Sequence, residues 1–494
     1  MTRTTWSSCC GVPCSPLGSA ARNWRGCWPG SSLASPLRRG RQPRLHRQGP
    51  VPGGYDDEMR DGPISIEVRT PQGVFLRWVM PATLLPEGVE RGPAAEVATR
   101  GAAAHWGLPD FVFHPAQERR GTRRREIGDA IIVAGRLGAS VQVKARQTPG
   151  DDVDRERSWL MKKAEEGTRQ ATGTILRLRY PVPTRLENLR GHTVWLHGRA
   201  IEWVPVVVLD HPGLGEDLVT GGAAVVLLRR DWEFLFEQLK STVAVVEYLH
   251  RVAPMDPVAL GMESLRYYEI ANADANSTPT PMDPAFAVLA IRSASVPFLP
   301  LQPAEYGTII RSILEDIASV PIDDFDEAGA SYRLKMLAAI DSAPIATRRE
   351  MGDTILGWLE QVQQAPAPQV WWRFRHYVWF DRVHLILAVT NVNAPEMREA
   401  FGYLVRLRHV ERLELAPSQI VTMTVGVLLQ PRHDGVRPWD TTAAVTEGEI
   451  HLDPEFRAAA ERIWKPIQEA ILRDDVTDPI EAFRRETEEE SGSA

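Results

Sequence analysis

The sequence predicts an α/β fold in two successive units, and three observations carry that prediction. Strand-sized apolar runs, such as VPVVVL (204–209) and AVVLL (224–228), alternate with long amphipathic stretches. One stretch, DDVDRERSWLMKKAEEGTRQATGTILRLR (151–179), places Leu160, Ala164, Gly167, Ala171, Ile175 and Leu178 at helical spacing. Residues 126–146, EIGDAIIVAGRLGASVQVKAR, hold two apolar runs around a glycine turn, as a β-hairpin does.

In chain order, residues 1–58 differ from everything that follows. They contain all four cysteines (Cys9, Cys10, Cys14 and Cys27) and no lysine. Their CC-x3-C spacing lacks the paired C-x2-C and histidines of a zinc site, and no apolar stretch has the length of a signal peptide core. They read as a disordered leader, or as translated upstream sequence with the start at Met59. The absence of cysteine beyond Cys27 fits a reducing cytoplasm. Residues 59–270 form the first expected unit. It contains a strand pair (64–80), a small-residue helix (94–107), a short strand (108–115), a basic loop (116–125), the hairpin, the long helix, a strand region (192–210) and a helical stretch (229–252). ANADANSTPTPMDP (271–284) has linker composition. A second mixed α/β domain is expected over 285–475, followed by an acidic disordered tail (476–494).

Composition narrows the function classes. The chain is 43% hydrophobic and 24% charged with a net charge of -7, which argues against a wholly basic coat protein but leaves room for a local basic groove. No apolar run approaches the roughly 20 residues of a membrane-spanning helix. No G-x4-GK[ST] loop, G-x-S-x-G elbow or G-x-G-x-x-G fingerprint is present. His192, His197 and His211 lack the spacing of a helical zinc pair.

The hairpin carries the chemistry. With the turn centred between Arg136 and Leu137, antiparallel pairing sets Asp129 opposite Lys144 and Ile131 opposite Gln142. Ala130, Ile132, Ala134, Val141, Val143 and Ala145 then share one apolar face, while Asp129, Gln142, Lys144 and Arg146 share the other. Glu126 reaches the same spot from the strand entrance. Hard oxygen ligands of this kind suit Mg²⁺ (or Mn²⁺), and a neighbouring lysine suits phosphodiester hydrolysis. A solvated polar strand face is the competing reading. Asp110, in a literal Pro-Asp, is a rival acidic ligand.

The order helix, strand, strand with Asp129, strand with Gln-x-Lys, long helix, strand resembles the αβββαβ core of the PD-(D/E)XK, or restriction-endonuclease-like, superfamily. D129…Q142-V-K144 resembles its QxK branch, typified by Mrr-type restriction enzymes. The E-x-x-D lead-in (Glu126, Asp129) and GMESLRYYEI (261–270) are similar to bacterial proteins of that group. The resemblance covers roughly residues 94–270. It implies a nuclease in which Asp129, Gln142 and Glu126 hold the metal and Lys144 assists the attacking water. Gln142 cannot supply the charge of the commoner Glu, so a binding module that retains the fold without cutting is the alternative.

Arg123, Arg124, Arg125 and Arg146 are the expected phosphate contacts. Gln170, on the flank of the long helix, is positioned to orient a water or ligand. The expected partner is nucleic acid, DNA ahead of RNA, with a homodimer left open. The segment QVWWRFRHYVWFDRVHLILAV (369–389) interleaves aromatics with arginines but reads first as core strands.

Overall fold

A two-residue turn at Gly135 and Arg136 organises the first sheet. The computed structural model describes residues 7–8, 62–70, 73–114, 116–120, 123–211, 218–277, 305–321, 327–364, 371–379, 383–415, 423–432 and 439–474. Within them the chain is mixed α/β, with ten α-helices.

Strand β1 (Ser7–Ser8) comes from the expected leader, and β2 (Ile64–Thr70) pairs with β3 (Gly73–Val79). Helix α1 (Arg91–Trp106) leads to the short strand β4 (Val112–Phe113). Next come a two-stranded ribbon, β5 (Ala116–Arg120) and β6 (Arg123–Ile127), and the hairpin, β7 (Ala130–Ala134) and β8 (Leu137–Ala145). Helix α2 (Val153–Leu178) and a small hairpin, β9 (Thr184–Glu187) and β10 (Thr193–Leu196), precede β11 (Glu202–Asp210) and β12 (Val225–Leu228). Helices α3 (Arg229–Leu239), α4 (Thr242–Val252) and α5 (Glu263–Ser277) close this part.

The first five-stranded sheet has the order β12-β11-β8-β7-β4. The short β4, β7 and β8 form an antiparallel meander, and α2 carries the chain across to β11, which runs parallel to β8. A helical crossover is what parallel neighbours require. Val112, Ile132, Val141, Val143, Val206 and Val208 point to a core shared with α1, α3 and α4. Ile131, Val133, Val207 and Leu209 point to α2. Both faces are covered, so the strands are apolar nearly throughout.

The buried stripe of α2 contains the expected Leu160, Ala164, Gly167, Ala171, Ile175 and Leu178, joined by Glu156 and Thr174. Asp152 caps its N-terminus by accepting from the N–H groups of Asp154 and Arg155. A Cβ on Gly167 would lie 2.7 Å from Val207 Cγ1. The missing side chain lets the helix backbone sit on the sheet.

The second sheet has the order β1-β16-β15-β14-β13. Its strands are β13 (Trp372–Trp379), β14 (Val383–Thr390), β15 (Met423–Pro431) and β16 (Trp439–Glu447). Helices α6 (Glu305–Ala318), α7 (Glu327–Asp341) and α8 (Ile345–Gln364) lie on one side. Helices α9 (Pro395–Leu415) and α10 (Pro454–Asp474) lie on the other. Trp372, Phe374, Tyr377 and Trp379 are buried, so the aromatic–arginine segment is core as expected.

Five expectations are corrected. The hairpin turn sits at Gly135–Arg136, with Ala134 opposite Leu137 and Ile131 opposite Ser140. Gly135 takes a φ of +65°, which a two-residue hairpin turn demands. The two-residue change in register preserves both faces, because strand side chains repeat every second residue. The basic stretch 116–125 is largely a paired ribbon rather than a loop, with Arg119 opposite Arg124 and Arg120 opposite Arg123. The expected linker begins late, since residues 271–277 are the last turns of α5. Ser7 and Ser8 pair with Ala443 and Thr442, so the leader contributes an edge strand. The second unit is not separately cored: Leu108, Phe111, Ala134 and Val243 share one cluster with α6, α7 and the second sheet. The remaining linker and the tail from 476 onward lie outside the described residues.

Two glycines of α2 give a contrasting test. Gly167→Val should destabilise the chain by about 1–3 kcal/mol, because Val207 and the strand beneath must move. A Cβ on Gly173 meets nothing within 4 Å, so Gly173→Ala should stabilise by up to about 1 kcal/mol. Urea titrations of both variants measure the difference.

Candidate functional site

At Gly128 and Asp129 the chain passes from the β5–β6 ribbon into the sheet. Gly128 has a φ of +78°, and the break separates β6 from β7, so the hairpin strand starts at Ala130 rather than at Glu126. The Asp129 N–H bonds the Val141 carbonyl at 3.2 Å, although Val141 already faces Ala130 across the ladder. Two residues against one is a bulge. The Asp129 carboxylate then continues the pairing itself, with Oδ2 accepting the Val143 N–H at 2.7 Å. This places it alongside Gln142, the residue between Val141 and Val143, rather than directly opposite Lys144.

Gln142 and Lys144 stand on the face that α2 covers, and the Asp129 carboxylate meets their strand at the Val143 N–H between them. That cover is tighter than a free polar strand face implies: Gln142 is only 4% exposed. A Cβ on Gly128 would lie 3.3 Å from the Gln142 amide nitrogen and 3.4 Å from Thr174. Lys144 is half-buried. Arg100 of α1 donates to the Asp129 carbonyl at 2.7 Å and steadies the bulge from behind.

One acid near this end was not evident in the sequence. Glu166 of α2 is bonded by Lys163 at 2.7 Å. That bond chiefly, with added pull from Lys144 and against partial burial, holds the Glu166 carboxyl below its ordinary range. Its charge therefore acts on Lys144 from the helix, where hairpin spacing gives no hint of it. Gln170 follows on the same helix flank and is exposed.

Arg146, expected to grip phosphate, is engaged elsewhere. Its guanidinium forms a two-pronged pair with Glu156, at 2.8 and 2.7 Å, and lies over the Trp159 ring. Glu156 is 0% exposed and also accepts from Gly150 N–H and pairs with His211 Nε2 at 2.9 Å. The Arg146 hydrogen bonds first, then His211, drive its carboxyl far below the ordinary carboxylate range. Burial works against the charge of neighbouring Asp210, but Arg91 at 2.6 Å and Arg229 at 2.8 Å hold its pKa down as well. These pairs tie the ends of β8 and β11 to α1, α2 and α3.

Asp110 belongs to the opposite end of the sheet. It is buried, paired with Arg190 at 2.8 Å, and Arg190 reaches on to Glu315 of α6 at 2.6 Å. It joins the two units and is removed as a rival ligand. The side chains of Glu126, Arg123, Arg124 and Arg125 lie outside the described residues; their backbones stand on β6. Among the described residues no group of three or more His, Cys, Asp or Glu side chains is placed to hold a metal, and no helix is long and apolar enough to cross a membrane. Compared with known proteins, the chain matches no family model, no curated protein and no solved structure.

Arg146→Ala should lower stability toward urea, because it leaves the buried Glu156 carboxylate without its main partner. A pure phosphate contact would leave stability unchanged. The depressed pKa values of Glu156 and Asp210 have a sign as well. Their stabilisation is complete above the ordinary carboxyl values, 4.5 and 3.8, and is lost as pH falls through the lower folded values. Glu156→Gln should flatten this acid limb in a series of melts between pH 7 and pH 2.

Proposed function

We propose that the chain is a metal-dependent nuclease with a restriction-endonuclease-like core, hydrolysing phosphodiester bonds of DNA, or of RNA. One observation carries this reading. Strands β4, β7, β8 and β11 share one sheet between α1 and α2, and Asp129 is bonded to the Val143 N–H of the strand that carries Gln142 and Lys144. That is the element order and the residue grouping that D-QxK chemistry needs.

The donor set suits a hard cation. The Asp129 carboxylate and the Gln142 amide oxygen are the proposed donors, and Mg²⁺ or Mn²⁺ bound by one or two protein oxygens keeps several waters. Glu126 is the third proposed ligand, two residues before the Gly128 break. Such an ion, when bound, supplies charge for the phosphate and acidity for a water. The work of the protein's own groups follows from their positions. The Val143 N–H orients the Asp129 carboxylate, Lys144 donates to a phosphate oxygen or to the attacking water, and the Glu166 carboxylate stands within electrostatic reach of that lysine. Gln170 stands at the open flank. The β5–β6 ribbon supports a nucleic-acid partner by its register, which sets Arg119 opposite Arg124 and Arg120 opposite Arg123.

A second reading has an observation of its own. An amide stands where an acid is commoner, and it is nearly buried, which favours a nuclease-fold binding module that holds nucleic acid without cutting it.

Cleavage assays on single- and double-stranded DNA and RNA, with Mg²⁺ or Mn²⁺ against EDTA, decide between them. Lys144→Ala should leave the melting temperature nearly unchanged and lower cleavage by roughly 10²–10³-fold. Asp129→Ala should abolish it, and Gln142→Glu should preserve or raise it at low Mg²⁺. Wild type that binds but cuts no substrate selects the binding module. Cleavage that survives both Lys144→Ala and Asp129→Ala moves the active site away from this hairpin. Charge reversal at Arg123, Arg124 and Arg125 should reduce the salt slope of binding by roughly 0.7–0.9 per lost contact.

A further inference from the structure

A second site lies in the C-terminal unit, away from the hairpin. Between the first half of α9 and the start of α10 is a cavity of about 510 Å³, lined among others by Arg398, Gly402, Tyr403, Arg406 and Phe456. Its volume falls in the usual range for small-molecule sites, about 300–1,000 Å³. Residues 395, 398, 399, 402, 403 and 406 stand on one face of α9, with Gly402, which has no side chain, midway along it.

The two ends differ in chemistry. At one end the Arg406 guanidinium lies 5.5 Å over the Phe456 ring and, among the described residues, has no carboxylate partner. Burial pulls its pKa down, so the charge has lost water without gaining an acid. Desolvated cations favour an oxyanion, and arginine offers it a planar fork of donors. The wall beside it is aromatic: Tyr403 and Phe456 meet edge to face with centroids 4.8 Å apart. Toward the other end Glu399, whose backbone lies about 10 Å along the helix from that of Arg406, accepts from the Tyr403 hydroxyl at 2.8 Å. Arg398 beside it is held by Gln430 at 2.9 Å and Asn393 at 2.8 Å, so that end is fixed in place.

We propose that the α9–α10 groove binds a nucleotide, with the phosphate on Arg406, the planar base against Tyr403, and a base amino group toward Glu399. A free nucleotide and one unit of a nucleic-acid strand share this chemistry. The proposal stands whether or not the hairpin end is a nuclease.

Calorimetry on the full chain tests it with four probes: adenosine monophosphate, adenosine, inorganic phosphate and a deoxyadenylate decamer. Adenosine monophosphate or the decamer should bind saturably, with adenosine and phosphate each at least about tenfold weaker, as expected for losing one charge-assisted contact or the ring. Arg406→Gln should weaken the bound probe by about tenfold or more, and Gly402→Leu, which fills the groove, should do the same. Melting temperatures of both variants identify any loss that is merely unfolding, and Arg406→Gln, which keeps a polar side chain at a half-buried position, is the variant expected to fold normally. Affinity for the decamer well above that for the monophosphate assigns a strand; similar affinities assign a free nucleotide. The proposal fails if neither probe binds, if phosphate binds as well as the monophosphate, or if binding survives both substitutions. Decamer binding that survives Arg406→Gln belongs to another surface.

Discussion

The close seat of α2 on the first sheet is the contact on which the rest of this structure depends. A 26-residue helix bearing leucines along its whole length would stand off from the strands. Here Ala164, Gly167 and Ala171 form the middle of the stripe, and Gly167 admits the side chain of Val207 directly against the helix backbone. The larger residues, Leu160 before and Ile175 and Leu178 after, fill the space where the twisted sheet falls away. Because the helix lies this low, Gln142 becomes a covered residue and Glu166 comes within electrostatic reach of Lys144.

Charged residues secure that seat at its upper end. Glu156 is wholly buried, and without Arg146, His211 and the Gly150 N–H it would be a costly isolated charge. With them it locks the start of α2 to the ends of β8 and β11. Asp210 performs the same task for α1 and α3 through Arg91 and Arg229. A comparable device joins the two units. Asp341 of α7 accepts from Ser241 and from the Val243 N–H at the start of α4. Arg348 of α8 donates to the Leu239 and Lys240 carbonyls at the end of α3. Both ends of the α3–α4 corner are thus capped by the C-terminal unit, where Lys240 adopts a φ of +48°. The corner of the first unit is completed by the second, which explains why their cores merge.

Much of this architecture was legible in the sequence, for local reasons. The stripe of α2, the two faces of the hairpin and the buried aromatics of β13 follow from side-chain periodicity, which depends only on neighbours along the chain. The exact turn was less secure. GRLG allows two centres, and the choice fell to Gly135, the residue that best tolerates a positive φ. Gln142 and Lys144 were legible as sharing a strand face, because a two-residue slip keeps strand faces intact.

What only the tertiary structure decided is which polar side chains are available for chemistry and which are consumed by the fold. Arg146 and Lys144 are two residues apart on the same strand face and look alike in sequence. One is committed to a buried carboxylate brought in by α2, and the other stands at the half-open end of the sheet. Asp110 and Asp129 are both acids near strands, but the meander sends them to opposite ends of the sheet, one to Arg190 and one to the Val143 N–H. Glu166 lies on α2, 22 residues after Lys144 in the sequence, yet the two interact through space. Periodicity along the chain determines which face a residue occupies. Which charge meets it there depends on long-range packing, and no local pattern encodes that.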